Sequence, residues 1–283
     1  MRVLITGTAG RLGSCLIEAL QGRHRVIPAT HDDFEVLDFA ATCAFIREQK
    51  PDVVLHPAAW TDVDGCAREP ERAIRVNGFG AQHVSLAAAA IGAAVLYVST
   101  NEVFYGQLNR PYLEYDHPNP HNSYGYSKLV GERAVAATNP QHYIVRTSWL
   151  FAHGGKNFIQ TILNAAQDKK NLRVVTDEVA NPTYNNDLAD AIAALIETGR
   201  YGTYHLVNEG ACSRYTFARY ILDSAGLEDV AIQPISSSEW PRASIPPSYT
   251  ALTNLAGAIV GITLRPWQEA VDAFLSREGI KPA

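Results

Sequence analysis

Short apolar segments alternate with longer segments of helical composition through the first half of the chain. The apolar segments are residues 2–6, 25–29, 53–56, 94–99 and 143–147, and the helical ones are residues 12–21, 41–49, 70–91 and 124–138. Apolar segments of this kind are typical of parallel strands that are covered on both faces. Their alternation with helices indicates βαβ units, so we predict an α/β fold built on a doubly wound parallel sheet.

The pattern is less regular in the second half of the chain. It predicts helices at residues 157–168, 186–198, 216–225 and 266–277, strands at 172–176 and 202–207, and a loop over the Pro- and Ser-rich residues 234–248. We assign residues 1–150 to the sheet domain, with returning pieces near 183–208. Residues 151–182 and 209–283 form a smaller C-terminal unit, which we call the cap.

Three glycines follow the first predicted strand and open the first predicted helix. Gly7, Gly10 and Gly13 have the spacing G-x-x-G-x-x-G. Glycine at these positions lets the backbone turn tightly and approach a pyrophosphate, whose charge then meets the N-terminus of the helix. The loop therefore predicts a Rossmann-like dinucleotide-binding domain, with contacts from the three glycines, Arg11 and Leu12.

The end of the second predicted strand bears on the choice between NADPH and NADH. An acidic residue there binds the ribose 2′-hydroxyl of NADH, but Ala29 and Thr30 stand at these positions and Asp32 comes late. Arg11 and His31 are candidates for meeting a 2′-phosphate. We expect Thr30 and His31 to contact the cofactor and NADPH to be favoured, with NADH as the alternative.

A threonine, a tyrosine and a lysine are the candidates for catalysis. Tyr124 and Lys128 are four residues apart at the start of a predicted helix, so they share one face of it. A neighbouring ammonium lowers the pKa of a phenol, and Tyr124 is then suited to act as the general acid when a ketone is reduced. Thr100 follows the predicted strand 94–99, where its hydroxyl can donate to the developing oxyanion.

Composition and charge narrow the classes of function. The chain of 283 residues is 47% hydrophobic and has a formal net charge of −5, which leaves no basic surplus for nucleic acid or an anionic membrane surface. No apolar run approaches the ~20 residues that span a bilayer. The four cysteines form no C-x-x-C pair and the histidines lack metal-ligand spacing. We therefore expect reduced thiols, no metal site and a cytoplasmic protein.

The glycine loop, Thr100, Tyr124 and Lys128 occur in an order that resembles the extended branch of the short-chain dehydrogenase/reductase superfamily. A closer resemblance is to the dTDP-4-dehydrorhamnose reductase family. It rests on residues 57–64 (PAAWTDVD), 98–104 (VSTNEVF), 146–151 (RTSWLF), 181–183 (NPT) and 266–270 (PWQEA). The resemblance implies that NADPH delivers hydride to C4 of a nucleotide-activated keto sugar bound against the cap, completing dTDP-L-rhamnose.

The resemblance also implies roles for individual residues. Catalysis is expected from Thr100, Tyr124 and Lys128. The implied cofactor contacts outside the glycine loop are Ala58, Ala59, Trp60, Asn77, Tyr124 and Lys128. The implied substrate contacts are Thr61, Val63, Asn101, Glu102 and Trp149.

Two departures from the family pattern fall where the sugar and the nucleotide are read. The family has Asp-Tyr after the catalytic threonine, whereas this chain has Asn101 and Glu102. The family's cap carries an Arg-Pro pair before a serine, and residues 245–250 (IPPSYT) lack that arginine, so Arg242 would have to substitute from upstream. These departures leave the exact substrate open.

Two other functions remain as alternatives. Thr100, Asn101 and Glu102 also resemble the Thr-Asp-Glu of nucleotide-sugar 4,6-dehydratases, which together with epimerases belong to the same branch. In those dehydratases the Asp serves as the acid, and Asn101 has no titratable proton to give. The second alternative is a non-catalytic NADP-binding regulatory subunit, against which the intact Tyr124 and Lys128 argue.

Three further points stay open at the level of sequence. Arg146 has two interpretations, a substrate contact and a pair with a buried carboxylate. Asp62 and Asp64 are interpreted as part of a loop that caps the next helix, in preference to a cation site. The oligomeric state is undetermined, with a homodimer as one expectation.

Overall fold

The computed structural model describes residues 1–168 and 171–280 and is organised around a parallel β-sheet of six strands. The strands of the described residues, both those of this sheet and shorter ones outside it, are β1 (Arg2–Ile5), β2 (Arg25–Pro28), β3 (Val53–His56), β4 (Ala94–Thr100), β5 (His142–Thr147), β6 (Leu150–Phe151), β7 (Asn171–Val175), β8 (Val179–Ala180), β9 (Thr183–Tyr184), β10 (Gly202–His205), β11 (Cys212–Ser213) and β12 (Ala231–Ile235). The sheet has the order β10-β5-β4-β3-β1-β2, and every neighbouring pair is parallel.

The helices cover both faces of this sheet and build the cap. They are α1 (Arg11–Leu20), α2 (Phe39–Gln49), α3 (Val63–Arg68), α4 (Pro70–Ala73), α5 (Gly80–Ala89), α6 (Ser123–Thr138), α7 (Phe158–Asp168), α8 (Asn185–Thr198), α9 (Arg214–Ser224), α10 (Ala256–Ile259) and α11 (Trp267–Arg277). A π-helical turn, Ile74–Phe79, joins α4 to α5, so the helix predicted over residues 70–91 changes its winding in the middle. Two 3₁₀ turns lie at Asn101–Val103 and Ser237–Glu239.

Apolar side chains from both faces of the strands account for the layered packing. On one face, Leu16 and Leu20 of α1 and Ile192 of α8 pack in one core with the strands. On the other face, Ile46 of α2 and Val84 of α5 pack against a second set of strand residues. The strands are therefore buried on both sides, and the prediction of a doubly wound, Rossmann-like parallel sheet is confirmed.

A separate hydrophobic core holds the cap together. Phe151, Phe217 and Phe274 meet in it with Trp267, with ring centroids of Phe151 and Phe274 5.7 Å apart. A two-stranded parallel ribbon of β7 and β12 borders this core. The prediction of a loop over residues 234–248 is wrong at its beginning, because Pro234 and Ile235 belong to β12 and pair with Val174 and Val175.

The order of the strands positions the functional site. Strand β1 lies between β2 and β3, so the chain reverses its direction across the sheet at this point. Loops that leave the carboxyl ends of strands on either side of such a reversal splay apart and leave a crevice. The glycine loop after β1 and residues 57–59 after β3 border this crevice. In the described parts of the chain, no helix is long and apolar enough to cross a membrane.

Candidate active site

The glycine loop has a geometry that admits only glycine at two of its positions. Gly7 has φ +62°, and a Cβ there would lie 2.9 Å from the Cβ of Ala58. A Cβ on Gly13 would lie 2.5 Å from the carbonyl oxygen of Gly7. Helix α1 begins directly after Gly10, which provides no side-chain cap. The first backbone N–H groups of α1 are therefore available to a pyrophosphate, as the glycine spacing predicts.

Two threonines tie the glycine loop to neighbouring strands. The Thr8 hydroxyl donates to the carbonyl of Ala29 over 3.0 Å. The Thr6 hydroxyl lies 2.8 Å from Nδ1 of His56, and burial and the charge of Lys128 lower the pKa of His56 to about 3. His56 is thus a neutral buried ring that fixes the end of β1 against the end of β3. No local pattern in the sequence indicates that Thr6 and His56 are partners.

The carboxyl end of β4 carries a short chain of polar contacts. The Thr100 hydroxyl donates to Oδ1 of Asn101 over 3.2 Å and accepts from the backbone N–H of Glu102 at the same distance. Nδ2 of Asn101 donates to the Thr250 hydroxyl over 2.6 Å, which links the turn after β4 to the cap. Asn101 is 3% exposed and acts here as a hydrogen-bonding bridge.

The start of α6 approaches this turn closely enough to bring Tyr124 beside Thr100. A Cβ on Gly125 would lie 2.0 Å from the carbonyl oxygen of Glu102, so only glycine permits the contact. Asn122 caps the helix by accepting from the Gly125 N–H over 2.8 Å, and its Nδ2 donates to Oε2 of Glu102 over 2.6 Å. The N-cap residue Asn122 and Gly125 together fix the start of the helix, and with it the Tyr124 phenol, in the cleft.

The pKa values of Tyr124 and Lys128 are displaced in opposite directions. Burial and the charge of Glu102 raise the pKa of Tyr124 above its usual value, although a hydrogen bond with Thr100 opposes this. Burial lowers the pKa of Lys128 to about 7, against the attraction of Glu132. Our prediction of a phenol pKa lowered by Lys128 is therefore wrong for the protein alone, because burial and the charge of Glu102 raise this pKa. A raised pKa keeps Tyr124 protonated, as a proton donor must be.

Glu102 brings a carboxyl group into the cleft. Burial raises its pKa, while the hydrogen bond from Asn122 and the charges of Arg214 and Arg242 act in the opposite direction. Glu102 is thus close enough to Tyr124, Arg214 and Arg242 for their charges to influence one another. A carboxyl group at this position makes this part of the cleft wall polar.

Trp149 lines the cleft, and a basic side chain of the cap stacks on its ring. Trp149 adopts φ +41°, and its ring lies 3.5 Å from the guanidinium carbon of Arg214. Arg214 is also within 3.5 Å of a carboxylate oxygen of Glu178. Such stacking of a guanidinium on an indole stabilises both groups. Sequence analysis did not identify Arg214, because nothing in the residues around it indicates which face of α9 meets Trp149.

The structure brings most of the predicted site residues into one cleft of about 580 Å³. Those that line it are Gly7, Gly10, Arg11, Leu12, Gly13, His31, Ala58, Ala59, Thr61, Val63, Thr100, Asn101, Glu102, Tyr124, Lys128 and Trp149. Trp60 lies in an adjoining groove that shares His31, Ala58 and Ala59 with the cleft.

Three predicted contacts lie elsewhere, because their polar atoms have other partners. Oδ1 of Asn77 accepts from the N–H of Trp60 over 2.7 Å, and its Nδ2 donates to the Trp60 carbonyl and the Ser127 hydroxyl. The Thr30 hydroxyl donates to Asp33 over 3.1 Å. Asn77 therefore holds the backbone of the loop after β3 through Trp60, and Thr30 forms a turn with Asp33.

Arg242 is the third, and it contacts the sheet domain. Its Nε donates to Oδ1 of Asp64 over 3.1 Å, and the N–H of Ser244 donates to the same oxygen over 2.9 Å. Asp62 caps α3 by accepting from the Gly65 N–H over 3.0 Å. Helix capping by Asp62 and ion pairing by Asp64 account for both carboxylates.

Arg146 does not line the cleft, because its side chain is buried in an ion pair. Its guanidinium donates to both carboxylate oxygens of Glu132, over 2.7 and 2.9 Å, and both side chains are at most 5% exposed. The Ser99 hydroxyl donates to the same carboxylate over 2.6 Å. Of the two interpretations of Arg146, the structure shows the buried ion pair.

The arrangement is suited to reducing a carbonyl group beside a dinucleotide. The hydroxyls of Thr100 and Tyr124 converge on one part of the cleft, and the glycine loop lies in the same cleft. Two hydroxyl donors stabilise the negative charge that develops on a carbonyl oxygen when hydride adds to its carbon. The buried side chain of Lys128 lines the same cleft.

Comparisons with known proteins agree with this arrangement. The family model described as RmlD substrate binding domain matches residues 1–279. The spore coat polysaccharide biosynthesis protein SpsK of Bacillus subtilis is 38% identical over 275 residues, which cover 97% of this chain and 96% of the relative. A dTDP-4-dehydrorhamnose reductase of Mycobacterium tuberculosis is 38% identical over 284 residues, covering 97% and 92%.

Solved structures give the same answer for the whole chain. A dTDP-4-dehydrorhamnose reductase of Clostridium acetobutylicum has a TM-score of 0.94 and 36% identity, covering 99% of this chain and 100% of that one. The enzyme of the same name from Bacillus anthracis, solved in complex with NADP, has a TM-score of 0.94 and 34% identity, covering 98% and 99%. Matches to the full length in sequence and in structure show that the chain belongs to the RmlD family, whose members include the dTDP-4-dehydrorhamnose reductases.

Proposed function

We propose that the protein reduces the C4 ketone of dTDP-4-dehydro-L-rhamnose with NADPH and releases dTDP-L-rhamnose. The observation that carries this proposal is that Thr100, Tyr124 and Lys128 line the same cleft as the glycine loop. Relatives that are 38% identical over nearly the whole chain bear the name of this reductase. The family and the geometry thus support the same reaction.

The residues present fit a dinucleotide. Gly7 and Gly13 leave a cradle that a Cβ would fill, and the N-terminus of α1 faces it. A related reductase was solved with NADP. When bound, NADPH supplies the hydride that adds to C4 of the sugar.

Tyr124 supplies the proton that completes the reduction. Burial keeps its hydroxyl protonated, so it donates to the C4 oxygen as negative charge develops there. The Thr100 hydroxyl, which accepts from the Glu102 N–H, turns its one proton from Asn101 to the same oxygen when the sugar binds and donates a second hydrogen bond there. Hydride and proton together convert the ketone to an alcohol.

Lys128 binds the cofactor and adjusts the charge around the phenol. Its side chain is 2% exposed, so hydrogen bonds to the ribose hydroxyls beside the nicotinamide would replace the water that the ammonium has lost. The positive charge also stabilises the tyrosinate that remains after proton transfer. This is a binding role and an electrostatic role for one group.

The cap, as residues 151–182 and 209–283, is proposed to close the sugar-nucleotide site. Thr61, Val63, Asn101, Glu102 and Trp149 are the proposed substrate contacts, since all of them line the cleft. The link from Asn101 to Thr250 keeps the cap in register with the end of β4. An indole such as that of Trp149 offers a flat apolar surface for a sugar ring or a base.

The test is a reduction assay with identified products. The purified chain is mixed with NADPH and dTDP-4-dehydro-L-rhamnose, loss of NADPH is followed by absorbance, and the product is examined by NMR. We expect dTDP-L-rhamnose, and the coupling constants at C4 distinguish it from its epimer, dTDP-6-deoxy-L-talose. Oxidation of NADPH that yields the epimer would change the assigned product but not the reductase activity.

A second arm addresses the other functions. Incubation with dTDP-glucose and the oxidised cofactor tests for net loss of water, which a 4,6-dehydratase would catalyse. We expect none, because Asn101 has no proton to donate. Tight NADPH binding without turnover of the keto sugar would overturn the proposal in favour of a regulatory subunit. A homodimer and a cytoplasmic location stay predictions.

A further inference from the structure

A groove beside the active-site cleft extends it past the end of β2. It has a volume of about 480 Å³ and shares His31, Ala58 and Ala59 with the cleft. Its far wall is formed by Arg72 and Arg75, from α4 and the π-helical turn that follows it. A dinucleotide that crosses the glycine loop places its adenosine beyond the end of β2, which is where this groove lies.

The charged residues of the groove favour an anion. Arg72, Arg75 and His31 line it together with one carboxylate, that of Glu35. Glu35 has partners already, since Oε1 accepts from the N–H of Leu37 over 3.1 Å and Oε2 lies 3.7 Å from Nδ1 of His31. The arginines therefore leave an excess of positive charge for a ligand to neutralise.

The two arginines differ in how freely they can bind. Arg72 lies 4.5 Å from the centroid of the Trp60 ring and 3.3 Å from a carboxylate oxygen of Glu69. Arg75 is exposed and has neither a hydrogen bond nor an ion pair from its side chain within residues 1–168 and 171–280. Arg75 can thus turn its guanidinium to a ligand without giving up a contact.

Other candidates for the same task are already engaged. The guanidinium of Arg11 donates to the carbonyl of Lys156 in the cap, beside the glycine loop. The carboxylate of Asp33, which with Asp32 follows the end of β2, accepts from the N–H and the hydroxyl of Thr30, over 2.8 and 3.1 Å. Asp33 is thus held in a turn, and Glu35, the acidic residue in the lining of the groove, already contacts Leu37 and His31 and is not free to select a ribose 2′-hydroxyl.

We propose that Arg75 binds the 2′-phosphate of NADPH and thereby sets the preference for NADPH over NADH, while Arg72, held on Trp60, forms the wall beside the adenosine. A planar guanidinium can donate two parallel hydrogen bonds to a phosphate, which NADH lacks. This inference rests on the proposed use of a dinucleotide in the cleft and not on the identity of the sugar. It adds residues that the sequence alone did not select.

The test measures binding without turnover. Dissociation constants for NADPH and NADH are obtained by fluorescence titration for the wild type, Arg75→Ala, Arg75→Lys, Arg72→Ala and Arg47→Ala. Arg47 is an exposed arginine in the last turn of α2 outside the groove, so its variant controls for loss of one positive charge. Competition by 2′,5′-ADP and by 5′-AMP repeats the comparison on the adenosine halves of the two cofactors.

We expect Arg75→Ala to weaken the binding of NADPH and of 2′,5′-ADP by about tenfold to a hundredfold. The dissociation constants for NADH and 5′-AMP should change by less than about twofold. Arg75→Lys keeps the charge without the planar fork, so its loss should be smaller. Arg72→Ala should affect both cofactors alike, and Arg47→Ala neither.

An unchanged ratio of the two dissociation constants in Arg75→Ala would overturn the proposal. An equal loss of affinity for both cofactors in Arg75→Ala would overturn it too. So would a loss of affinity selective for NADPH in Arg72→Ala or Arg47→Ala that is as large as the loss in Arg75→Ala. Because the sugar is absent from these titrations, failure of the proposed reduction would leave their result unaffected, and the two proposals can fail separately.

Discussion

The ammonium nitrogen of Lys128 lies 4.1 Å from the centroid of the Tyr97 ring, above its face. The Tyr97 hydroxyl donates to the carbonyl of Asn77 over 2.9 Å, which fixes the ring from below. Tyr97 is fully buried and Lys128 is 2% exposed. An aromatic face replaces only part of the hydration that an ammonium loses, so burial still lowers the pKa of Lys128 to about 7.

This lowered pKa predicts that NADPH binding takes up a proton at about pH 8. In the free protein Lys128 is largely neutral above its pKa of about 7, whereas the anionic dinucleotide favours the charged form. Calorimetric titration in two buffers with different ionisation enthalpies measures the uptake. The uptake should disappear in Lys128→Met, which should also bind NADPH more weakly. Equal uptake in wild type and variant would assign the proton to another group.

Replacement of the proposed proton donor should separate chemistry from binding. Tyr124→Phe should lower kcat by about 10²- to 10⁴-fold, because the alkoxide at C4 loses its general acid. The dissociation constant for NADPH should change little. Steady-state kinetics and fluorescence titration provide the two values. Tyr126→Phe, half-exposed and two residues away, is the control and should keep wild-type turnover. Near-normal kcat in Tyr124→Phe would remove this residue from the mechanism.

The buried pair of Glu132 and Arg146 should matter for stability. Glu132→Gln leaves the Arg146 guanidinium without its carboxylate, and we expect the free energy of unfolding to fall by about 3 kcal/mol. Urea unfolding followed by circular dichroism gives the value. The double variant Glu132→Met with Arg146→Met should lose less than Glu132→Gln, since it leaves no unpaired buried charge. A double variant that is the less stable of the two would contradict this account.

Gly13→Ala tests the close packing of the cofactor loop. The new Cβ would lie 2.5 Å from the carbonyl oxygen of Gly7 and 2.8 Å from Cα of Thr8, so the backbone has to move. A movement that costs about 1.4 kcal/mol of binding weakens NADPH about tenfold, and we expect at least this loss by titration. Ser14→Ala, at the next and exposed position, should bind NADPH normally. Full affinity in Gly13→Ala would mean that the loop is not shaped for the pyrophosphate.

Much of the fold could be predicted because its signals are local. The six strands of the sheet are short apolar segments, and each lies within a residue or two of its predicted bounds. The two-residue strands β6, β8, β9 and β11 went unrecognised, since a pair of residues carries no periodicity. The last two residues of strand β12 were predicted as loop because one of them is Pro234, and proline is confined to special positions in sheets.

The site residues that could be predicted are those that lie at the ends of recognisable strands and helices. The glycine loop, Thr100, Tyr124 and Lys128 all follow a strand or open a helix, and they line one cleft. The direction of the Tyr124 pKa was predicted wrongly, because desolvation depends on what covers the phenol. Coverage is a property of the folded chain and not of spacing along it.

The sequence by itself determined the order of strands and helices, the glycine loop and the three proposed catalytic residues, because periodicity and helix spacing act over a few positions. The tertiary structure alone decided which distant groups meet: Asn77 with Trp60, Asn101 with Thr250, and Arg75 with the groove beside His31. These partners are 17 and 149 residues apart in the first two cases. Contacts over such separations are set by how the layers pack, and local sequence patterns carry no record of that.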